Sequence, residues 1–234
     1  MDNSKVLVCD DDREIVEAIS IYLKQEGYNV FKAYDGLEAL ECIEKEAIQL
    51  LIIDLMMPKM DGLTAILALR KKHNLPIIVL SAKSEETDKI TGLNFGADDY
   101  VTKPFSPLEL VARVKSHMRR YRDFGQSPVR TAVLRTGGIQ LDTSSRVLKV
   151  DGEEKAVTPT EYKILQFLLS NLGTVMSSEK IYEAVWDDVS FSVDNTVAVH
   201  IRRIREKVEI NPKEPKYIKV VWGVGYKMEQ YEVF

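Results

Sequence analysis

Val6-Leu7-Val8-Cys9-Asp10-Asp11-Asp12 and Leu50-Leu51-Ile52-Ile53-Asp54 decide how the first half of this chain folds. Each is a short, continuously apolar run that ends in acid. Runs with no polar alternate position read as strands buried on both faces, which points to a parallel sheet. Ile77-Ile78-Val79-Leu80 repeats the pattern, and Tyr28-Asn29-Val30-Phe31 and Asp99-Tyr100-Val101 are weaker versions of it. Between these runs, residues 13–26, 36–46, 62–73, 85–95 and 107–120 carry apolar residues at helical spacing, as in Ile15, Ile19, Tyr22 and Leu23. The alternation predicts an α/β domain over residues 1–121, a doubly wound five-stranded parallel sheet with its site outside the carboxyl ends of the strands.

Those strand ends carry the chemistry. Asp10, Asp11 and Asp12 follow the first strand and Asp54 follows the third, so carboxylates converge on one rim. Such a cluster repels itself unless a divalent cation neutralises it or its pKa values rise. Oxygen donors alone suit a hard ion, Mg²⁺. Consecutive side chains diverge, and Asp12 is expected to cap the following helix. Ser81 after the fourth strand and Lys103 after the fifth bring a hydroxyl and an ammonium to the same rim. There they could bind phosphoryl oxygens while Asp54 accepts the group as a nucleophile. A merely solvated acidic strand end is the alternative on these residues alone. Lys103-Pro104 is a candidate cis peptide.

The whole chain has 234 residues, 45% apolar and 29% charged, enough for two cores. No apolar run approaches the roughly 20 residues of a membrane span and no signal-peptide pattern opens the chain, so a cytoplasmic protein without membrane insertion is expected. Cys9 and Cys42 fall on a strand and a helix and read as reduced packing thiols. Residues 1–121 hold 16 basic and 20 acidic side chains, whereas 200–227 hold eight basic and three acidic. That local excess suggests a polyanionic partner. Residues 122–130 combine charge with Gly125, Ser127 and Pro128 and read as a linker.

Residues 131–234 change style. Short strand-like segments at 132–135, 138–142, 145–150 and 153–157 precede helical patterns at 159–171, 178–186 and 193–209, and a strand pair follows at 217–222 and 225–229. In the 193–209 helix, Val197, Ile201, Ile204 and Val208 form an apolar stripe; Thr196, His200, Arg203 and Lys207 recur on another face, read as presenting cations. Asp194 is the expected N-cap, with Asn195 and Thr196 in the first turn. Such a helix fits a major groove, Arg203 reading guanine while Arg202, Arg205, His200 and Thr196 contact phosphate or base edges. His200 has no clustered metal ligands.

Val-Leu-Val-Cys-Asp-Asp-Asp, Ile-Ile-Asp-Leu-Met-Met-Pro-Lys-Met-Asp-Gly, Leu-Ser-Ala-Lys and Gly-Ala-Asp-Asp-Tyr-Val-Thr-Lys-Pro-Phe resemble the receiver domain of two-component response regulators. Thr158-Pro159-Thr160-Glu161-Tyr162, Val-His-Ile-Arg-Arg-Ile-Arg-Glu-Lys and Tyr-Ile-Lys-Val-Val-Trp-Gly-Val-Gly-Tyr-Lys resemble the α+β winged-helix effector of the OmpR/PhoB type. Further stretches, including Tyr22-Leu23-Lys24 and Asp88-Lys89-Ile90, are similar to the VanR-type regulators of vancomycin resistance. The resemblance implies Asp54 as the residue phosphorylated by a sensor histidine kinase of the VanS type. Asp10, Asp11 and Asp54 with the backbone carbonyl of Met56 would hold Mg²⁺, Ser81 and Lys103 would contact the phosphoryl oxygens, and Ser81 and Tyr100 would form the switch.

It also implies a phosphorylation-promoted homodimer through the 85–95 helix, fifth strand and 107–120 helix, using Lys89, Asp98, Asp99, Glu109, Arg113, Lys115 and Arg119. Lys89 would meet Glu109 and Asp99 would meet Arg113 across it, although Glu109 and Arg113 could equally pair within one helix. Promoter DNA would be contacted by Asn195, Thr196, Val199, His200, Arg202, Arg203, Arg205, Lys207, Lys219 and Lys227. Gly223 and Gly225 would permit the wing's turn; where some relatives carry a basic residue, Trp222 is expected to pack the wing rather than enter the minor groove. Met56 and Lys83 offer no carboxylate or amide to orient a hydrolytic water, so the acyl phosphate is expected to be long-lived. The competing readings are a Mg²⁺-dependent aspartyl phosphotransferase or phosphatase and a signalling scaffold that does not bind DNA. A nucleotide hydrolase lacks its Gly-rich Lys-Ser/Thr loop.

Overall fold

The structure is a computed structural model and describes residues 4–82, 96–126, 133–186 and 193–232. The chain divides into two compact units, Met1–Tyr121 and Arg122–Phe234. No helix among the described residues is long and apolar enough to cross a membrane.

In the first unit the apolar runs become β1 (Lys5–Cys9), β2 (Asn29–Ala33), β3 (Leu50–Asp54), β4 (Ile77–Ala82) and β5 (Asp99–Lys103). They form one parallel sheet in the order β2-β1-β3-β4-β5. The helices are α1 (Arg13–Gln25), α2 (Gly36–Lys45), α3 (Gly62–Arg70) and α4 (Pro107–Gln126). Alternation along the strands explains the continuous hydrophobicity. Val6, Val8, Leu50, Ile52, Ile78 and Leu80 pack in one cluster with Leu23 of α1 and Leu110, Val114 and Met118 of α4. Leu7, Leu51, Ile53, Ile77 and Val79 point the other way and are equally buried. Asp12 caps α1, accepting from the N–H groups of Glu14 and Ile15 at 2.8 and 3.3 Å.

Two expectations shift here. The helix read as ending at 120 runs on to Gln126, so residues 122–126 of the expected linker are helical; the first strong breaker is Pro128. The expected 85–95 helix, with Lys83 and Lys89, lies outside the described residues.

In the second unit an antiparallel sheet β6 (Val133–Thr136), β7 (Ile139–Asp142), β8 (Leu148–Val150) and β9 (Glu153–Lys155) precedes α5 (Pro159–Leu169), α6 (Ser178–Trp186) and α7 (Val193–Val208). The closing hairpin, β11 (Ile218–Val221) and β12 (Gly225–Met228), pairs with β10 (Val175–Met176). β10 is two residues long, too short for any periodicity to reveal. One core joins Ile164, Leu165 and Leu168 of α5, Ile181 and Val185 of α6, the Val197, Ile201, Ile204 and Val208 stripe of α7, and Ile218 and Met228 of the hairpin. α7 starts at Val193, which places Asp194 inside the helix rather than at its cap.

Candidate functional site

β1 lies between β2 and β3, so the strand order reverses beside it, and an open α/β sheet forms its crevice at such a point. Asp10 leaves the end of β1, Asp54 ends β3, Ser81 sits near the end of β4 and Lys103 ends β5. One carboxylate oxygen each from Asp10, Asp11 and Asp54 lies within 4.8 Å of the others. Asp10 and Asp54 are buried and Asp11 is exposed. Lys103 Nζ donates to Asp10 Oδ2 at 2.6 Å and lies 3.0 Å from Asp54 Oδ1. The Lys103-Pro104 peptide is cis.

Backbone groups fix the carboxylates. Asp12 N–H donates to Asp10 Oδ1 and Met56 N–H to Asp54 Oδ2, both at 3.0 Å. Gly62 N–H donates to Leu55 O at 2.9 Å, and a Cβ on Gly62 would stand 2.1 Å from Asp54 O, so a larger residue would push α3 off the strand end. Burial pushes the Asp54 carboxyl above its usual value, and neighbouring Asp10 adds to this while Lys103 pulls it back. Burial alone would lower Lys103, but its bonds to Asp10 and Asp54 hold it above the usual lysine value. Three converging carboxylates are the donor set that a hard divalent cation takes, so these residues fit Mg²⁺. Ser81 and Tyr100 are buried, and Met56 is 79% exposed.

The charged face around β5 differs from the expectation. Arg113 Nη1 donates to both carboxylate oxygens of Asp99 at 3.1 Å, and its Nη2 donates to Glu109 Oε1 at 2.9 Å. His117 Nε2 lies 3.2 Å from Asp99 Oδ2. Asp99 is enclosed, which alone would raise its pKa, but Arg113 and His117 hold the carboxyl well below the usual range. Asp98 is fully buried and accepts from Arg70 Nη2 at 2.7 Å. Within the single chain, Asp98, Asp99 and Arg113 take part in internal ion pairs; an enclosed carboxylate takes the nearest cation its own fold offers. Glu109, Lys115 and Arg119 remain exposed, Lys115 with Glu26 at 2.7 Å.

The DNA face of α7 is also corrected. Thr196, Val199, His200 and Arg203 are buried. Arg203 Nη2 lies 3.0 Å from Glu161 Oε1, Lys207 Nζ 2.5 Å from Glu161 Oε2, and the His200 ring 5.4 Å from that of Trp186. The stripe taken as cationic surface lies only about 100° from the apolar stripe, so both enter the cleft between α5 and α6. Arg205 donates to Ile218 O at 2.7 and 3.0 Å and ties α7 to the hairpin. Arg202 is the basic side chain of the expected set that is exposed on α7, beside Glu206 at 3.3 Å; the Asn195 side chain lies outside the described residues. Trp222, expected to pack the wing, is 88% exposed.

Two organising residues escape the reading of the sequence. Glu161 completes a capping box with Thr158, a pattern readable as Thr158-Pro159-Thr160-Glu161. Glu209 accepts from the N–H groups of Lys216, Tyr217 and Ile218 at 2.6 to 2.8 Å and clamps the chain entering the hairpin; no local pattern announces it.

Residues 6–115 match the family described as response regulator receiver domain, and residues 152–228 match transcriptional regulatory protein, C terminal. Relatives include the regulatory protein VanR of Enterococcus faecium, 47% identical over 97% of this chain and all of that one, and VanRc of Enterococcus gallinarum, 46% identical with the same coverage. Among solved structures, a single-residue mutant of RitR gives a TM-score of 0.75 at 25% identity over 97% of this chain and all of that one. DrrB of Thermotoga maritima, an OmpR/PhoB homologue, gives 0.51 at 32% identity over 97% and 99%. With both domain families present in this order and relatives aligned end to end, the chain belongs to the two-component response regulators that join a receiver domain to an OmpR/PhoB-type DNA-binding effector.

Proposed function

We propose that Asp54 accepts a phosphoryl group from the phosphohistidine of a sensor histidine kinase and that this controls promoter binding by the effector. A carboxylate oxygen of Asp54 attacks phosphorus; the P–O bond forms as the P–N bond breaks, and the imidazole leaves with the electron pair and takes up a proton. Lys103 meets the charge of the entering group, and Ser81 offers its hydroxyl to a phosphoryl oxygen. Asp10, Asp11 and Asp54 with the Met56 carbonyl would hold Mg²⁺, which supplies Lewis-acid neutralisation of that charge when bound. The observation that carries the reading is the convergence of three carboxylates within 4.8 Å with Lys103 3.0 Å from Asp54.

Ser81 and Tyr100 pass the change to the face of β5 and α4, where two copies pair through exposed Glu109, Lys115 and Arg119. In the effector, Arg202 of α7 and Lys219 and Lys227 of the hairpin contact DNA. End-to-end similarity to VanR and VanRc supports a VanS-type kinase upstream and glycopeptide-resistance promoters downstream, with the chain acting in the cytosol. The test is phosphotransfer from a labelled VanS-type kinase. The wild-type chain takes up label and Asp54→Asn takes none; equal labelling of the two overturns the reading.

A further inference from the structure

The loop between β3 and α3, residues 55–61, is held from outside the sheet rim. It carries Met56, whose N–H fixes Asp54 Oδ2 and whose carbonyl is the fourth oxygen of the proposed Mg²⁺ set. The Met56 side chain is 79% exposed and does not anchor that carbonyl. Gly62 N–H on Leu55 O closes the two ends of the loop, which leaves residues 56–60 to be placed by something else.

The start of α2 does this. Asp35 is buried and N-caps α2, one carboxylate oxygen accepting from Glu38 N–H at 2.9 Å. Its other oxygen accepts from Lys59 Nζ at 2.5 Å, a bond that spans 24 residues of chain. Gly36 N–H donates to Met60 O at 3.1 Å, and a Cβ on Gly36 would stand 2.8 Å from that oxygen, so the two backbones meet with no room for a side chain. The Cys9 thiol donates to Asp35 O at 3.3 Å and lies 3.5 Å from Met57 Sδ, which joins the same corner to the end of β1. Lys59 takes a φ of 61°, the left-handed region that residues other than glycine, asparagine and aspartate rarely enter. A strained backbone position whose side chain ends on an enclosed carboxylate, three residues from a metal-facing carbonyl, is a constraint kept for the site.

We infer that Asp35 and Lys59 are positioning residues for the metal: their pair sets the loop so that the Met56 carbonyl already faces the Asp10, Asp11 and Asp54 carboxylates in the ion-free chain. The inference rests on the proposed phosphoryl-transfer reading and gives a role to two residues that are not themselves ligands. Without the pair the loop spends part of its time in other arrangements, and Mg²⁺ affinity falls by the fraction that is competent. The Lys59 side chain is 64% exposed, so its pair is a weak one, and the expected loss is about fivefold, which converts to about 1 kcal/mol. Saturating Mg²⁺ restores the order, so the chemistry at Asp54 is untouched.

Calorimetric titration of Mg²⁺ into the full chain tests this, with Asp11→Asn as the baseline for ions taken elsewhere. Lys59→Met keeps the bulk of the side chain and drops the ammonium, while Asp35→Asn keeps an oxygen for the Glu38 N–H and drops the charge. Each should weaken Mg²⁺ binding about fivefold. The double variant should be no weaker than either single one, because both remove the same pair, and Lys59→Arg should regain most of the affinity. In phosphotransfer from the labelled kinase, Lys59→Met should need about fivefold more Mg²⁺ for its half-maximal rate and reach the wild-type rate at saturation. Equal Mg²⁺ affinity of Lys59→Met and wild type, or losses that add in the double variant, overturns the inference. A lowered rate at saturating Mg²⁺ also overturns it, because Lys59 would then act in the chemistry and not through the loop. A wild-type chain that binds no more Mg²⁺ than Asp11→Asn overturns the metal reading itself and the inference with it.

Discussion

Glu161 is fully buried and still charged because its surroundings are arranged to hold the anion. Burial alone would raise its pKa, but Arg203, Lys207 and the Thr158 N–H at 2.9 Å favour the carboxylate and hold it below its ordinary 4.5. A carboxyl depressed on folding contributes stability that is complete above the unfolded value and is lost as pH falls through the folded one. Glu161→Gln should lower effector stability at pH 7 by about 3 kcal/mol, because Arg203 stays buried without its counter-charge. The variant should also show a flatter decline of melting temperature than wild type as pH drops below 4.5. Parallel melting curves for the two proteins over that acid limb would contradict the assignment. The pairing also explains why Arg203 and Lys207 resemble DNA readers in the sequence. A cation's destination depends on which carboxylate another helix places opposite it.

At the scale of elements, β5 and α4 are fastened by a buried network rather than by apolar contact alone. Arg113 serves Asp99 and Glu109 at once, with His117 on the other side of Asp99. Arg113→Ala should lower receiver stability by about 3 kcal/mol, since it strands a buried carboxylate. The effect should appear in thermal melts at concentrations where the chain is monomeric. A melting temperature equal to wild type under those conditions would contradict a stabilising role for the Arg113 pairs. The strands themselves were legible because continuous apolar runs with acidic ends admit few readings. The i,i+4 pair of Glu109 and Arg113 was legible too, since it needs only helical spacing. The closure of Asp99 onto Arg113 was not, because it spans two elements whose approach no local pattern states.

Across the whole molecule, the acidic balance of residues 1–121 and the basic excess of 200–227 separate the chemistry of the two units. A dianion added at Asp54 makes the first unit more acidic still, so two copies gain affinity only if their facing surfaces are repacked by the switch. Beryllofluoride, which mimics the acyl phosphate, should shift the full chain towards a dimer in sedimentation and tighten binding to tandem half-sites. Unchanged sedimentation and unchanged affinity would contradict that coupling.

The sequence alone determined the parallel sheet and the placement of Asp10, Asp54, Ser81 and Lys103 at its rim, because a strand's end is marked by the local stop of an apolar run. It also determined that a basic helix and a hairpin close the chain. Only the tertiary structure decided which stripe of α7 is enclosed, where Asp99 finds its cation and that Trp222 stands in solvent. Each of these depends on what a neighbouring element covers, and one segment's periodicity does not record the shape or charge of the surface packed against it.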